Sequence, residues 1–345
     1  MPIHSLEDLA KRLKVSRRTV SRVLREEKNV SPLLRERVAR YLKREDYVPN
    51  AQASRLAAGR VPVVGLVFPE SFLPSMDDYA ARVIRGVLQA AQLRDHQVTF
   101  YAFKNLDLAE ACRLHQGKRV GGLLFVAFGP SDFKALQTLR GRDVPVVSAN
   151  LICPGVDSFD CDNVLGGYLA AKHLLEAGRK RVAFLHGDPG WVSSNDRFRG
   201  FKKALDEGGQ VPRPELVQNA YYSMSAAHDA VLKMLGRRGA RPDAIFAAND
   251  LMCMGAYAAV REHSLRVPED VALIGFDDIP VCGLPILETT LSSIAQPLDD
   301  IARAATDRLM DLMESETVSA PIHRLFPPKL VVRESSGGAQ PHRWA

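Results

Sequence analysis

The stretch VSRRTVSRVL, residues 15–24, sets the organisation of the first fifty residues of this chain. Ser16 has the residue type of a helix N-cap, and Val20 and Val23 then recur at helical spacing. This spacing puts the arginines of the stretch together on the opposite, outer face. The segment therefore predicts a short helix over residues 17–25 that is apolar on its buried side and strongly basic on its exposed side.

Two further short helices flank this one. Ser5 and Asp8 form the pattern of a capping box at the start of a first helix, which ends at a tight turn at Lys14-Val15. Ser31-Pro32 begins a third helix that runs to residue 44. Three short helices with a basic second helix are the helix-turn-helix arrangement, whose second helix lies in the major groove of DNA. The alternative is a small helical bundle whose arginines are simply solvated.

The positive charge of the chain is concentrated in its N-terminal part. Residues 1–60 hold 15 Lys+Arg and 7 Asp+Glu, a net charge of +8. The whole chain holds 46 and 40, which leaves 31 and 33, a net charge of −2, for residues 61–345. A basic head on a weakly acidic body is the charge distribution of a protein that meets phosphates only through its head.

Three further stretches after residues 15–24 fit a known sequence pattern. These are Val30-Ser31, Arg35-Glu36-Arg37-Val38 and Tyr47-Val48-Pro49-Asn50-Ala51. Together they resemble the head and hinge of the lactose-repressor (LacI/GalR) family of bacterial transcriptional regulators. The resemblance continues through nearly the whole chain, to Val331-Val332-Arg333-Glu334-Ser335-Ser336. It implies a dimer that reads the two half-sites of a pseudo-palindromic operator.

The basic outer face and the resemblance together predict the DNA contacts. Side chains that reach base edges are expected at Arg17, Arg18, Ser21 and Arg22. Guanine is the favoured partner of the arginines, because a guanidinium can bond its O6 and N7 together. Contacts that hold phosphates are expected at Ser16, Thr19, Asn29, Ser31 and Arg35. Arg25 replaces the asparagine common in the family, so operators of other members do not transfer to this chain.

Residues 49–61 are alanine-rich and by themselves have the composition of a plain linker. The resemblance implies instead a hinge that folds into a helix only on operator DNA. Leu56 would then wedge into the minor groove and help to kink the duplex. Ala53 and Ala57 are small, so the hinges of two subunits would be able to approach closely.

From residue 63 onward, short apolar runs alternate with amphipathic stretches. Strands are expected at 63–68, 98–102, 122–126, 144–149, 182–186, 244–248, 271–276 and 329–332, and helices at 78–93, 165–177, 197–207, 226–235 and 252–263. This alternation predicts doubly wound parallel sheets with helices on both faces. The run is too long for one such sheet, so two lobes are expected.

The resemblance implies that these lobes are periplasmic-binding-protein-like, with three crossovers between them, near Asp160, Ser292 and Arg324. The expected domains are a helix-turn-helix head (1–48), a hinge (49–61), an N-terminal lobe (62–160 plus 292–323), a C-terminal lobe (161–291 plus 324–335) and a disordered tail (336–345). The tail has no leucine heptad, which favours a homodimer over a tetramer joined through the tail.

Polar residues follow several of the expected strands. Because open α/β sheets bind ligands beyond the carboxyl ends of their strands, these residues are expected to surround a ligand. With the positions that match the family pattern, the predicted ligand-binding set is Tyr79, Asn150, Asp162, Arg197, Tyr222, Asn249, Asp277 and Gln296. Such amide, carboxylate and guanidinium groups suit the hydroxyls of a sugar, and a tyrosine suits its apolar face.

Other interpretations of these residues stay open. Asn249 has the position of a helix cap, Arg197 that of a solvated surface residue, and Asp277-Asp278 that of a cap or a catalytic pair. Two departures from the family pattern bear on the ligand. Asn150 stands where an acidic residue is usual, and residues 77–79 replace the usual Asn-Pro-Phe-Phe segment.

The chain lacks the phosphate-binding glycine motifs and the nucleophile elbow, which argues against the common nucleotide and hydrolase enzymes. It also lacks an apparent signal peptide and an apolar run long enough to span a membrane. Its five cysteines have no metal-binding spacing. The expected protein is a cytoplasmic repressor without cofactor, metal or catalytic residues, controlled by a sugar-like ligand. Alternatives are control by a phosphoprotein or a phosphorylated metabolite and, more distantly, a cytoplasmic sugar-binding protein or enzyme.

Overall fold

The computed structural model describes residues 6–24, 30–44, 61–70, 78–104, 107–237, 241–283, 288–315 and 319–338. It divides into two compact units, Met1–Pro62 and Val63–Ala345. The predictions for Asn29 and for the hinge residues Ala53, Leu56 and Ala57 fall outside the described residues.

The first unit contains the three expected helices, which are α1 (Leu6–Leu13), α2 (Arg17–Leu24) and α3 (Pro32–Arg44). The turn after α1 is made by Lys14, whose φ of 54° lies in the left-handed region. Ser16 caps α2, since its hydroxyl accepts a hydrogen bond from the Thr19 amide at 3.0 Å. The hydroxyl of Ser31 does the same for the Leu34 amide at the start of α3, at 3.3 Å. Local capping thus sets where α2 and α3 begin.

A small apolar core holds these helices together. Leu9 and Leu13 of α1, Val20 and Val23 of α2 and Val38 of α3 are all buried in one cluster. The arginines of α2 stay outside it, which is the arrangement that the apolar spacing predicts.

The second unit contains twelve strands among its described residues. They are β1 (Val63–Pro69), β2 (Gln97–Phe103), β3 (Gly122–Val126), β4 (Val146–Ala149), β5 (Asp157–Cys161), β6 (Val182–His186), β7 (Val217–Asn219), β8 (Ala244–Ala247), β9 (Ala272–Asp277), β10 (Ser292–Ala295), β11 (His323–Phe326) and β12 (Lys329–Val331). One sheet has the order β11-β5-β4-β3-β1-β2 and the other β12-β10-β9-β8-β6-β7. All pairs are parallel except β10 with β12.

Helices cover both sheets, as parallel sheets require. They are α4 (Asp78–Leu93), α5 (Leu108–Gln116), α6 (Phe133–Arg140), α7 (Asn163–Glu176), α8 (Val192–Glu207), α9 (Met224–Leu235), α10 (Asp250–Glu262) and α11 (Leu298–Glu314). The eight expected strands and five expected helices are all present, with ends shifted by at most a few residues. The expectation of two doubly wound lobes is confirmed.

Two expected crossover positions are wrong. The strand that begins at Ser292 pairs with β9 and β12, so it belongs to the second sheet, and the chain returns to the first lobe only after Ala295. Arg324 lies in β11, which pairs with β5 of the first sheet, so the last crossing follows Phe326. Both strands are four residues long. Hydrogen bonds with strands far away in the sequence decide which sheet each of them joins. Short local sequence patterns do not reveal those bonds.

The expected start of the tail is also wrong. Ser336 is buried, and its hydroxyl donates to that of Ser292 at 2.7 Å. Ser335 also reaches back into the second lobe, where its hydroxyl donates to the Leu273 carbonyl at 2.7 Å. These serines are ordered because they satisfy polar groups of the lobe. The five cysteines are free and buried, as expected of packing residues.

Candidate functional site

The carboxyl ends of the two sheets face a common cavity of about 450 Å³ within the second unit. Its lining residues follow strands of both lobes or lie on the helices next to them. They are Pro69, Tyr79, Ala127, Asn150, Asp160, Asn163, Asp188, Trp191, Ser193, Arg197, Tyr221, Tyr222, Asn249, Leu251, Asp277 and Gln296. This position, the crevice beyond the strand ends, is where ligands bind in open α/β sheets.

Arg197 is part of this lining and is 5% exposed. Its Nε donates to Asn163 Oδ1 at 2.9 Å, and its Nη1 donates to the carbonyl of Ala248. The guanidinium lies 3.6 Å from the centroid of the Phe276 ring. It is thus held by a side chain, a backbone carbonyl and a ring face, which excludes the solvated surface interpretation.

Close approach of two helix backbones places Arg197 there. A Cβ on Gly167 of α7 would lie 2.0 Å from the Arg197 carbonyl oxygen, and one on Gly200 of α8 would lie 1.9 Å from the Val164 carbonyl oxygen. Only glycine allows α7 and α8 to come this near, and that contact brings Arg197 into reach of Asn163.

Asp277 lies opposite the guanidinium, with its Oδ1 3.8 Å from Arg197 Nη1. The same oxygen accepts a hydrogen bond from Gln296 Nε2 at 2.6 Å. The backbone φ of Asp277 is 107°, a conformation that side chains rarely adopt and that is often found at functional sites.

Arg82 links the two lobes through the backbone of Asp277 and Gln296. It lies on α4, which covers the first sheet, yet its guanidinium donates to the carbonyls of Asp277 at 3.0 Å and Gln296 at 2.7 Å. These two hydrogen bonds connect α4 to the backbone that carries Asp277 and Gln296.

The acidic residue that the crossover contributes to the cavity is Asp160, and the structure does not bring Asp162 to it. The carboxylate of Asp162 accepts from the Leu165 amide at 2.8 Å and so caps α7. Asp160 accepts from the Cys161 amide at 2.7 Å and is 7% exposed. Its burial raises the pKa of this carboxyl to about 7, opposed mainly by the Cys161 amide and the charge of Arg197.

Asn150 follows β4, has a φ of 60° and is part of the cavity lining. Within the described part of the chain, both its Oδ1 and its Nδ2 are buried without a hydrogen-bond partner. Buried polar atoms in folded proteins are nearly always paired, so this amide offers an unused donor and an unused acceptor at the cavity.

Aromatic rings form the less polar part of the lining. Trp191 and Tyr222 meet edge to face with ring centroids 6.5 Å apart. The Tyr222 ring rests against Gly187, where a Cβ would lie only 2.3 Å from Tyr222 Cζ. Tyr79 lines the cavity from α4, and burial raises its pKa well above the usual range, so its phenol is neutral.

Seven of the eight predicted ligand-binding residues line the cavity, and Asp162 is the exception. Asn249 also caps α10, since its Oδ1 accepts from the Met252 amide at 2.9 Å, so the helix-cap interpretation of this residue holds. Sequence reasoning missed Asp160, Asn163 and Trp191. Asp160 lies in β5, which no apolar run marks, so the strand and its polar residue were both missed.

The candidate acid–base groups do not form a catalytic arrangement. Asp278 is not in the cavity lining, and its Oδ1 lies 2.7 Å from Arg333 Nη2. His186 lies outside the cavity lining, bonded to the Ser194 hydroxyl at 2.5 Å, and burial lowers its pKa. In the described residues no group of three His, Cys, Asp or Glu side chains could hold a metal ion. The helices described also include none of the length and apolarity needed to cross a membrane.

The outer face of α2 in the first unit carries the predicted base-reading residues. Arg17 and Arg18 are exposed, and Ser21 and Arg22 are half-buried beside them. The hydroxyls of Ser16 and Thr19 lie 2.8 Å apart at the start of the helix. Ser31, which caps α3, is exposed, and Arg35 on α3 is half-buried.

Comparison with known proteins agrees with this geometry. The family described as bacterial regulatory proteins, lacI family, matches residues 5–50, and the periplasmic binding protein-like domain matches residues 171–336. The HTH-type transcriptional regulator CelR of Thermobifida fusca is 32% identical over 337 residues, which cover 96% of this chain and 98% of that protein.

Two solved structures align over nearly the full length. A complex of the transcriptional regulator CelR with cellobiose is 30% identical, with a TM-score of 0.71 over 96% of this chain and 100% of that one. The lac repressor dimer bound to operator and the anti-inducer ONPF is 25% identical, with a TM-score of 0.80 over 97% and 99%. The chain therefore belongs to the LacI family of bacterial transcriptional regulators.

Proposed function

We propose that this protein is a transcriptional repressor that acts as a cytoplasmic homodimer and binds a pseudo-palindromic operator. A sugar-like small molecule in the cavity between the lobes sets its affinity for DNA. The protein performs no catalysis, and it needs neither a cofactor nor a metal.

The unpartnered amide of Asn150 is the observation that carries the ligand proposal. It lies in a lining that also offers the carboxylates of Asp160 and Asp277 and the amide of Asn249. Hydroxyl groups both donate and accept, so a polyol matches such a mixture better than an apolar molecule does. The rings of Trp191 and Tyr222 suit the apolar face of a sugar. The related CelR was solved with cellobiose, which is in line with this class.

The coupling to DNA would run through the relative rotation of the lobes. A ligand that bonds to both Asn150 of the first lobe and Asp277 of the second favours one lobe arrangement over another. Arg82 passes this preference to α4 through its two carbonyl contacts. Because coupling between two sites is reciprocal, operator DNA must change ligand affinity by the same factor.

The substitution Asn150→Gly tests the ligand site. It removes the two buried polar atoms, and glycine accepts the left-handed backbone at this position without strain. We expect stability without ligand to change by less than about 1 kcal/mol and ligand affinity to fall at least roughly tenfold, about 1.4 kcal/mol. The measurement is thermal unfolding of the full chain during a screen of sugars and sugar derivatives. A saturating ligand should stabilise the wild-type protein by about 2.7 kcal/mol at 100 times its Kd.

Asp143→Gly is the matched control for this experiment. Asp143 is exposed and outside the cavity lining, and its φ of 58° is nearly that of Asn150. A ligand that stabilises wild type, Asp143→Gly and Asn150→Gly equally would contradict the site.

The substitution Arg18→Ala tests the DNA interface. If Arg18 reads a base, its loss should cost about 1–3 kcal/mol at one operator position and relax the preference there. The measurement is selection of bound sequences from a random DNA library. Arg40→Ala is the control, because Arg40 is exposed on α3 and, among the described residues, its ion pair is the local one with Glu36 at 2.8 Å. The control should keep the same preferred sequence, whereas an unchanged preference in Arg18→Ala would refute base reading.

A further inference from the structure

The charged groups of the cavity are mostly acidic. Among the described lining residues, Asp160, Asp188 and Asp277 carry carboxylates, and Arg197 alone carries a cationic side chain. The rest of the lining is amide, hydroxyl, aromatic or apolar.

The protein uses part of the hydrogen-bonding capacity of this cation and compensates its charge. Its Nε and Nη1 donate to Asn163 and to the Ala248 carbonyl, and its flat face covers the Phe276 ring. The carboxylate of Asp277 lies 3.8 Å away and compensates its charge. A phosphate or carboxylate on a ligand would therefore meet a cation whose charge Asp277 already compensates, and it would also have to approach the acidic groups of the lining.

Asp160 makes the cavity still less suited to an anion. The protein gives it a 2.7 Å bond from the Cys161 amide and a long, 3.4 Å contact from Asn163 Nδ2. A carboxylate can accept about four hydrogen bonds, so Asp160 has unused acceptor positions although the residue is only 7% exposed. Only a ligand that donates can use this capacity, because a charge buried without donors is costly.

We propose that the ligand of this cavity is a sugar without negative charge, either a neutral polyol or its amine-bearing form, and that Asp160 selects it over phosphorylated or acidic sugars. The proposal rests on the proposed function and adds to it the charge class of the ligand and the residue that sets it. Asp160 accepts from a ligand O–H or N–H group, and it repels an anion placed at the same point.

The surroundings of Asp160 also predict how binding depends on pH. The groups around it are Tyr79 from α4, Asn163 from α7, and Asp196 and Arg197 from α8. Desolvation outweighs the favourable charge of Arg197, so the carboxyl of Asp160 has a pKa of about 7. Since a donating ligand favours the ionised form, affinity should rise as the pH increases through neutrality.

The test uses small-molecule extract from bacteria, divided on an anion exchanger into an unretained fraction and a retained fraction. The unretained fraction holds neutral and cationic molecules, and the retained one holds sugar phosphates and sugar acids. Thermal unfolding of the full-length protein is measured with each fraction. We expect stabilisation by the unretained fraction only. Stabilisation by the retained fraction alone overturns this proposal and leaves the proposed function standing, whereas stabilisation by neither overturns both.

Asp160→Asn identifies the selecting residue in the same assay. We expect about ten times more of the unretained fraction to be needed for half of the maximal stabilisation. Asp206→Asn removes the same charge from an exposed position on α8 outside the cavity and should leave the dose unchanged.

The pH profile separates selection from a merely structural role. In wild type the half-saturating dose should decrease as the pH rises from roughly 6 to 8. In Asp160→Asn it should stay constant over that range. An unchanged dose in Asp160→Asn, or a pH profile equal to that of wild type, overturns the role of Asp160.

Discussion

Replacement of Arg197 by alanine is expected to abolish the response to ligand and to lower the free energy of unfolding of the two-lobed unit by about 3–5 kcal/mol. The guanidinium is 5% exposed and compensates Asp277 at 3.8 Å. Its loss leaves this carboxylate in a poorly solvated cavity without its cation, and it leaves the Oδ1 of Asn163 and the Ala248 carbonyl without their donor.

Urea unfolding and ligand titration of the same samples measure both effects. Arg199→Ala is the matched control, because Arg199 is exposed two residues further along α8 and contacts only Asp196, at 3.3 Å, in the ion pairs of the structure. An exposed pair of this kind contributes about 0–1 kcal/mol. If Arg197→Ala were as stable and as ligand-responsive as Arg199→Ala, the role of Arg197 in stability and ligand binding would be refuted.

Gly200→Ala is expected to destabilise the two-lobed unit by at least about 3 kcal/mol, at the upper end of the cost of overpacking. The added Cβ would lie 1.9 Å from the Val164 carbonyl oxygen and 2.6 Å from the Tyr168 amide nitrogen. Both atoms belong to the backbone of α7, so no side chain can rotate away. The helices must separate, which withdraws Arg197 from Asn163 and so also weakens ligand binding.

The midpoint of urea unfolding at constant m-value measures this cost. Gly236→Ala provides the control, because Gly236 follows α9 with a φ of −69° and a Cβ there would have no neighbour nearer than 3.5 Å. That change should be neutral or slightly stabilising, since alanine restricts the unfolded chain. Equal midpoints for the two variants would show that α7 and α8 can separate without cost.

Both predictions concern the same connected set of contacts. Glycines let α7 and α8 meet, their contact positions Arg197, and Arg197 compensates Asp277. Asp277 in turn is held by Gln296 and, through its carbonyl, by Arg82 of the other lobe. A ligand that rearranges any of these bonds acts on the relation between the lobes.

Features encoded in neighbouring residues were predictable. Ser16 and Ser31 cap their helices, Lys14 makes the turn, and the eight apolar runs form strands. Most predicted cavity residues follow these strands, so their convergence could be expected from the rule that parallel strands end at one edge. Three of the four missed strands, β5, β10 and β11, are only four or five residues long and contain polar or charged residues, so no apolar run marks them.

By itself, the amino-acid sequence determined the head, the basic face of α2, the two-lobed architecture and the residue types around the cavity. Caps, turns and apolar periodicity act over a few neighbouring residues, and they leave a readable pattern. Only the tertiary structure decided that Asp160 rather than Asp162 enters the cavity, that Asn150 is left unpartnered and that Arg197 is engaged. Those outcomes depend on contacts between residues far apart in the chain, such as Gly200 against Val164, whose geometry is set when both lobes pack.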